Sequence, residues 1–147
     1  MATIAYEDLV PGRTFELGKA EIDRNDMIAF ARRFDPQPFH VDEEAGRRSL
    51  FGGLCASGWY TVSLWMRAYV DTVLHDSTSL GSPGGSELSW SAPVYAGDVL
   101  QFRLEIVSRR RSATKPGLGL VECRAIADKA GQQVMRLTFT GMFGTRT

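Results

Sequence analysis

The sequence predicts an α+β domain in which a curved antiparallel sheet wraps around one long central helix. Two patterns and one packing argument lead there. The segment SGWYTVSLWMRAYVDTVL, residues 57–74, is too long for an ordinary strand. It carries Trp59, Val62, Leu64, Trp65, Met66, Tyr69, Val70 and Val73 around most of a helix circumference, so it reads as a helix buried on nearly every side. Further along, the period drops to two. Leu100, Phe102, Leu104 and Ile106 alternate with Gln101, Arg103, Glu105 and Val107, and Met135, Leu137, Phe139 and Gly141 alternate with Arg136, Thr138 and Thr140. A sheet with one apolar face and a helix that needs covering satisfy each other when the sheet curls around the helix.

The elements follow in order. Residues 13–22 read as a first strand. Asp23 then N-caps a helix with the apolar stripe Met27, Ile28, Phe30, Ala31 and Phe34, which Pro36 stops. The acidic stretch EEAGRR reads as a second, shorter helix whose start is capped and charged by Asp42, Glu43 and Glu44, and FGG at 51–53 breaks it ahead of the central helix. GSPGG, 81–85, reads as a turn, followed by strands at 87–94, 100–107, 118–128 and 135–141, with KPGLG and DKAG as turns. Without repeats or low-complexity runs, residues 1–147 form one domain, long enough to bury about 68–70% of the unfolded surface.

Composition excludes several functions. With 17 basic and 17 acidic side chains, the chain offers no field for nucleic acid or an anionic membrane, although Arg109, Arg110 and Arg111 form a local cluster. Cys55 and Cys123 show neither metal-ligand spacing nor a disulfide framework and read as buried free thiols. No cleavable leader or 18-residue apolar run is present, which makes the cytoplasm the default location. His75, next to Asp76, reads as a solvated helix-end residue.

The stretch FDPQPFH, 34–40, stands apart. Its two prolines hold the backbone between Asp35 and His40 in extended or turn geometry, so that the two side chains can converge. The stretch resembles the D-x-N-P-x-H signature of the MaoC-like dehydratase family, in its (R)-specific enoyl-CoA hydratase type. Asp35, Pro38 and His40 stand at the matching positions, and Gln37 replaces the usual Asn. FGGLCASGW supplies a glycine-rich helix entry, SRRRSATKPGLGLV resembles the family's strand end, and the order of elements fits from Arg13 to Phe143.

The resemblance implies a hot-dog fold and reversible addition of water to a 2-enoyl thioester, giving a 3-hydroxyacyl thioester. Coenzyme A enters as part of the substrate, with no separate cofactor and no metal. Such a reaction needs a base for water, an acid for the α-carbon and donors for the enolate oxygen. Asp35 and His40 are the implied acid–base pair. Ser57 and Gly58, at the start of the central helix, are the candidates for the thioester oxygen, because the first helical amides lack intrahelical acceptors. Gln37 is one methylene longer than Asn and reaches Asp35, if at all, by a different path. Trp59 is a candidate wall of the acyl pocket, and Arg109, Arg111 and Lys115 are candidates for the coenzyme A phosphates. Two alternatives are a hot-dog acyl-CoA thioesterase and a non-catalytic thioester-binding subunit. Against the first, Trp59 to Met66 contains no acid; against the second, Asp35 and His40 are both present. Hot-dog subunits pair, so a homodimer or a multiple of dimers is expected.

Overall fold

The computed structural model describes residues 3–147. Its sheet has five antiparallel strands, β1 (Thr14–Glu21), β2 (Ser79–Trp90), β3 (Val99–Arg111), β4 (Leu118–Lys129) and β5 (Gln132–Gly144), in the order β1-β3-β4-β5-β2. The helices are α1 (Arg24–Phe34), α2 (Pro38–Val41), α3 (Glu43–Arg47) and α4 (Gly58–Thr72), with 3-10 turns at Tyr6–Asp8 and Leu74–Asp76.

The period-two pattern gives the sheet its buried face. Leu100, Phe102, Leu104 and Ile106 of β3 are all buried, beside Val121, Cys123, Ala125 and Ala127 of β4. The small side chains on β4 leave room for the large ones of α4. Trp65 and Tyr69 stack on each other with centroids 4.9 Å apart and both meet Phe139 edge-on. The Trp65 indole N–H also donates to the Arg103 carbonyl at 3.0 Å, so the buried ring leaves no unpaired donor. Between β4 and β5, DKAG makes a two-residue hairpin turn. Ala130 and Gly131 have φ of 49° and 81°, the left-handed pair that matches the twist of the flanking strands.

Three expectations need correction. The central helix is buried on one side only. Tyr60, Thr61, Trp65 and Tyr69 face the core, whereas Trp59 and Met66 are 54% and 43% exposed, and Leu80 of β2 is also exposed. GSPGG is not a turn between elements but lies within β2, which pairs with β5 through register shifts at Ser79/Gly81, Gly81/Gly84 and Ser86/Ser89. Glycine and proline are tolerated there because β2 is an edge strand, with no second ladder to satisfy. Finally, FDPQPFH is not extended throughout. Pro38 opens the short helix α2 from its first position, where the missing N–H costs nothing.

The helix starts agree with the sequence. Asp23 accepts from the Asp26 amide at 2.8 Å to cap α1, and Asp42 accepts from the Ala45 amide at 2.9 Å to cap α3. Both cysteines are buried free thiols.

Candidate active site

Asp35 owes its position to two local constraints. Pro36 has no N–H to continue α1, and the residue before a proline is disfavoured in helical conformation. Asp35 therefore leaves the helix at φ −152°, ψ 64°, while its own amide still donates to Ala31 at 2.8 Å. One residue beyond Pro36, the Gln37 amide folds back to the Asp35 carbonyl at 2.8 Å. Pro38 then starts α2 and carries the buried His40 on it.

The pair converges through its partners. His40 Nδ1 lies 2.7 Å from the Cys55 carbonyl, which can only accept, so the proton sits on Nδ1 and the Nε2 lone pair is free in the neutral ring. Nε2 faces Asp35 Oδ2 at 3.4 Å. The same Oδ2 accepts from the Ser57 hydroxyl at 2.7 Å, and Oδ1 accepts from the Gln37 side-chain amide at 2.7 Å. Gln37 thus does reach Asp35. Burial pushes the Asp35 carboxyl up, but the hydrogen bonds from Gln37 and Ser57 and the charge of a protonated His40 outweigh it, and the group sits below the usual carboxylate value. It is ionised at neutral pH. A carboxylate oxygen and an imidazole lone pair facing each other are two acceptors, and a water with two O–H donors satisfies both.

Ser57 links the pair to α4. Its side chain is fully buried, and besides donating to Asp35 it accepts from the Trp59 amide at 3.3 Å as the N-cap. Gly58 follows as the first helical residue, and among the described residues its N–H has no acceptor. The lack of a side chain at Gly58 is required by Trp90, since a Cβ there would stand 2.3 Å from the indole ring. That indole donates to the Gly58 carbonyl at 3.1 Å and meets Trp59 edge-on at 5.3 Å.

Asp35, Gln37, His40 and Gly58 line one cavity of about 470 Å³, together with the apolar Trp59, Trp90 and Phe51. Phe39 meets the His40 ring at 4.6 Å and completes its setting. Cys55 contributes its carbonyl rather than a nucleophile, because burial pushes its thiol up to about 11. Among the described residues no group of three or more His, Cys, Asp or Glu side chains is placed to hold a metal, and no helix is long and apolar enough to cross a membrane.

The structure thus brings together Asp35, Gln37, His40, Ser57, Gly58 and Trp59. It does not bring Arg109, Arg111 or Lys115 to them. The cavity is walled by residues 90–94, whose Pro93 is tied to Lys129 at the Leu100 end of β3, whereas Arg109 and Arg111 lie at its opposite end. Arg109 donates to the carbonyls of Tyr6 and Glu7 at 2.8 and 3.1 Å, and Arg111 to the Thr147 carbonyl at 2.8 Å, both over the Tyr6 ring. Within this chain Arg109 and Arg111 tie the chain's two ends to the sheet, and Lys115 lies in the turn between β3 and β4. His75 is exposed, as expected. Sequence reasoning missed Phe39, Trp90 and the Cys55 carbonyl. Apolar residues in a strand or loop carry no local mark of a site, and any residue has a carbonyl.

Comparison with known proteins places this arrangement. The crystal structure of a MaoC-like dehydratase from Rhodospirillum rubrum matches with a TM-score of 0.89 at 36% identity, over 98% of this chain and 99% of that one. The unliganded (R)-hydratase PhaJ1 from Pseudomonas aeruginosa shares the fold, with a TM-score of 0.74 at 23% identity over 98% of this chain and 88% of its own. The uncharacterized protein YdeM of Bacillus subtilis is 24% identical over 112 residues, 76% of this chain and 79% of that protein. The pattern of the MaoC-like domain matches residues 8–128, a span that holds the Asp35–His40 stretch, all of α4 and the sheet through most of β4, and the chain therefore belongs to the MaoC-like domain family of acyl dehydratases and hydratases.

Proposed function

We propose that this chain is a hydro-lyase of the (R)-specific enoyl-CoA hydratase type, adding water reversibly to a 2-enoyl thioester to give the 3-hydroxyacyl thioester. The observation that carries the reading is the convergence of His40 Nε2 and Asp35 Oδ2, 3.4 Å apart, in the wall of a cavity that is lined mostly by apolar residues. Water held by both acceptors has its oxygen free to attack C3 of the enoyl group. As that bond forms, the pair takes a proton from water, and electron density moves through C2 to the thioester oxygen. The Gly58 N–H, unclaimed among the described residues and at the positive end of the α4 dipole, meets that oxygen. Delivery of a proton to C2 completes the addition of one water.

The remaining residues hold this geometry. Ser57 and Gln37 fix both oxygens of Asp35, and the Cys55 carbonyl fixes the His40 tautomer. Trp59 and Trp90 wall the acyl side. Coenzyme A is the carrier in this reading, the chain acts as one hot-dog domain, and it works as a homodimer. Support for pairing comes from the exposed Trp59 and Met66 of α4, which line an apolar groove of about 850 Å³ between that helix and β2.

The test is hydration of crotonyl-CoA, followed by loss of absorbance of the conjugated double bond. Asp35→Asn and His40→Ala each lower kcat by about 10²–10⁴-fold with circular dichroism preserved and a cooperative thermal transition retained, the loss expected for a positioned proton-transfer group. Hydration at near wild-type rate by either purified variant overturns the assignment.

A further inference from the structure

Among the described residues, His40, Ser57 and Thr61 are polar side chains that the fold buries. The first two are accounted for by their bonds to Asp35 and to the Cys55 carbonyl. Thr61 is not. It is 1% exposed and lines the same cavity as Asp35 and His40, yet among the described residues its hydroxyl has no hydrogen-bond partner. A helical Ser or Thr often turns its hydroxyl back to the carbonyl four residues earlier. Ser63 does so, donating to the Trp59 carbonyl at 2.8 Å. The equivalent carbonyl for Thr61, that of Ser57, receives only the backbone amides of Tyr60 and Thr61, at 3.0 and 3.3 Å. Among the described residues the sealed, unpartnered side-chain atoms are Arg124 Nε and Arg136 Nε, so the Thr61 hydroxyl keeps access to the cavity that it lines.

The position of Thr61 tells what its partner is. It follows Gly58 by three residues and so shares its helix face, and helical side chains lean toward the N-terminus, which carries Thr61 back over the first turn of α4. The leading amide of that turn, Gly58 N–H, lines the same cavity and has no acceptor among the described residues. We infer that Thr61 is a substrate-contacting residue whose hydroxyl donates to the thioester carbonyl oxygen beside the Gly58 amide, giving the enolate oxygen two donors. The inference rests on the thioester reading proposed above and assigns to that site a group that the signature stretch does not contain.

The test uses two variants and two kinds of ligand. Thr61→Val removes the hydroxyl at constant shape, and Thr61→Ser keeps it. With crotonyl-CoA, Thr61→Val lowers kcat by about 10²-fold and raises KM by about 5-fold, as for loss of a donor that meets the oxygen in the bound substrate and more strongly in the transition state, and Thr61→Ser stays within a few-fold of wild type. Calorimetric titration supplies a readout that needs no turnover. Thr61→Val weakens butyryl-CoA by about 5-fold, the size of one lost neutral hydrogen bond, and leaves the thioether S-butyl-CoA, which has no carbonyl oxygen, unchanged. Wild-type kcat in Thr61→Val, equal weakening of thioester and thioether, or an equal loss in Thr61→Ser overturns the contact and leaves Thr61 a packing residue. A wild-type protein that fails to hydrate crotonyl-CoA but shows the selective thioester effect sinks the hydratase reading and upholds the contact. Failure of the wild type to bind either ligand overturns both.

Discussion

Replacing Gly58 by alanine separates the two things asked of that position, since the backbone N–H stays while the space above Cα is filled. An alanine Cβ would stand 2.3 Å from Trp90 Cε2 and 2.7 Å from both Cδ2 and Nε1. Comfortable contact between carbons begins at about 3.5 Å, so the indole has to retreat by roughly an ångström or more. Its retreat breaks the bond to the Gly58 carbonyl, now 3.1 Å, worth about 1 kcal/mol, and the edge-on contact with Trp59, worth about 0.5–1.5 kcal/mol. The higher helix propensity of alanine returns up to about 1 kcal/mol. The net loss is about 0.5–2.5 kcal/mol, which for a chain of this size lowers Tm by roughly 1–10 °C. Thermal unfolding and urea midpoints measure it, and the hydration assay shows KM rising as the displaced ring narrows the cavity. The decisive comparison is the same substitution in a Trp90→Ala background. With the ring absent, Gly58→Ala has nothing to strike, and its cost falls to near zero or reverses. An unchanged cost in that background refutes the reasoning.

Two further expectations follow from the geometry. Gln37→Leu removes the donor to Asp35 Oδ1. The folded-state value of Asp35 is depressed, so this group contributes stability above its unfolded pKa and loses it as pH falls through the folded one. The variant raises the folded value, moves the acid limb of kcat/KM to higher pH, and loses stability at neutral pH but not in strong acid, where both carboxyls are protonated; an acid limb at the wild-type pH or lower contradicts this. Light scattering is expected to give twice the chain mass or a multiple of it, by pairing along the β2 edge and the exposed flank of α4, and a monodisperse active monomer contradicts that.

What the sequence by itself determined is what depends on neighbours a few residues away. Periodicity sets which face of β3 is buried, because side-chain direction alternates along any strand. The capping roles of Asp23 and Asp42 are local geometry, and so is the exit of Asp35 from α1 before Pro36. The five-residue spacing from Asp35 to His40, braced by two prolines, is local in the same way. The tertiary structure alone decided what crosses between elements. Ser57 meets Asp35 across 22 residues, and Trp90 reaches the Gly58 carbonyl across 32, neither with a local mark. The one-sided burial of α4 depends on how far the sheet curls, which no helical period encodes. GSPGG became strand because it lies on an open edge, where a glycine or proline forfeits no second ladder. Arg109 turned to the Tyr6 carbonyl, 103 residues away, because the register of β3 against β4 aims it over that ring. Local steric and hydrogen-bonding rules act through the chain and are readable from it, whereas the partners of a side chain across the core depend on the packing of all the elements at once.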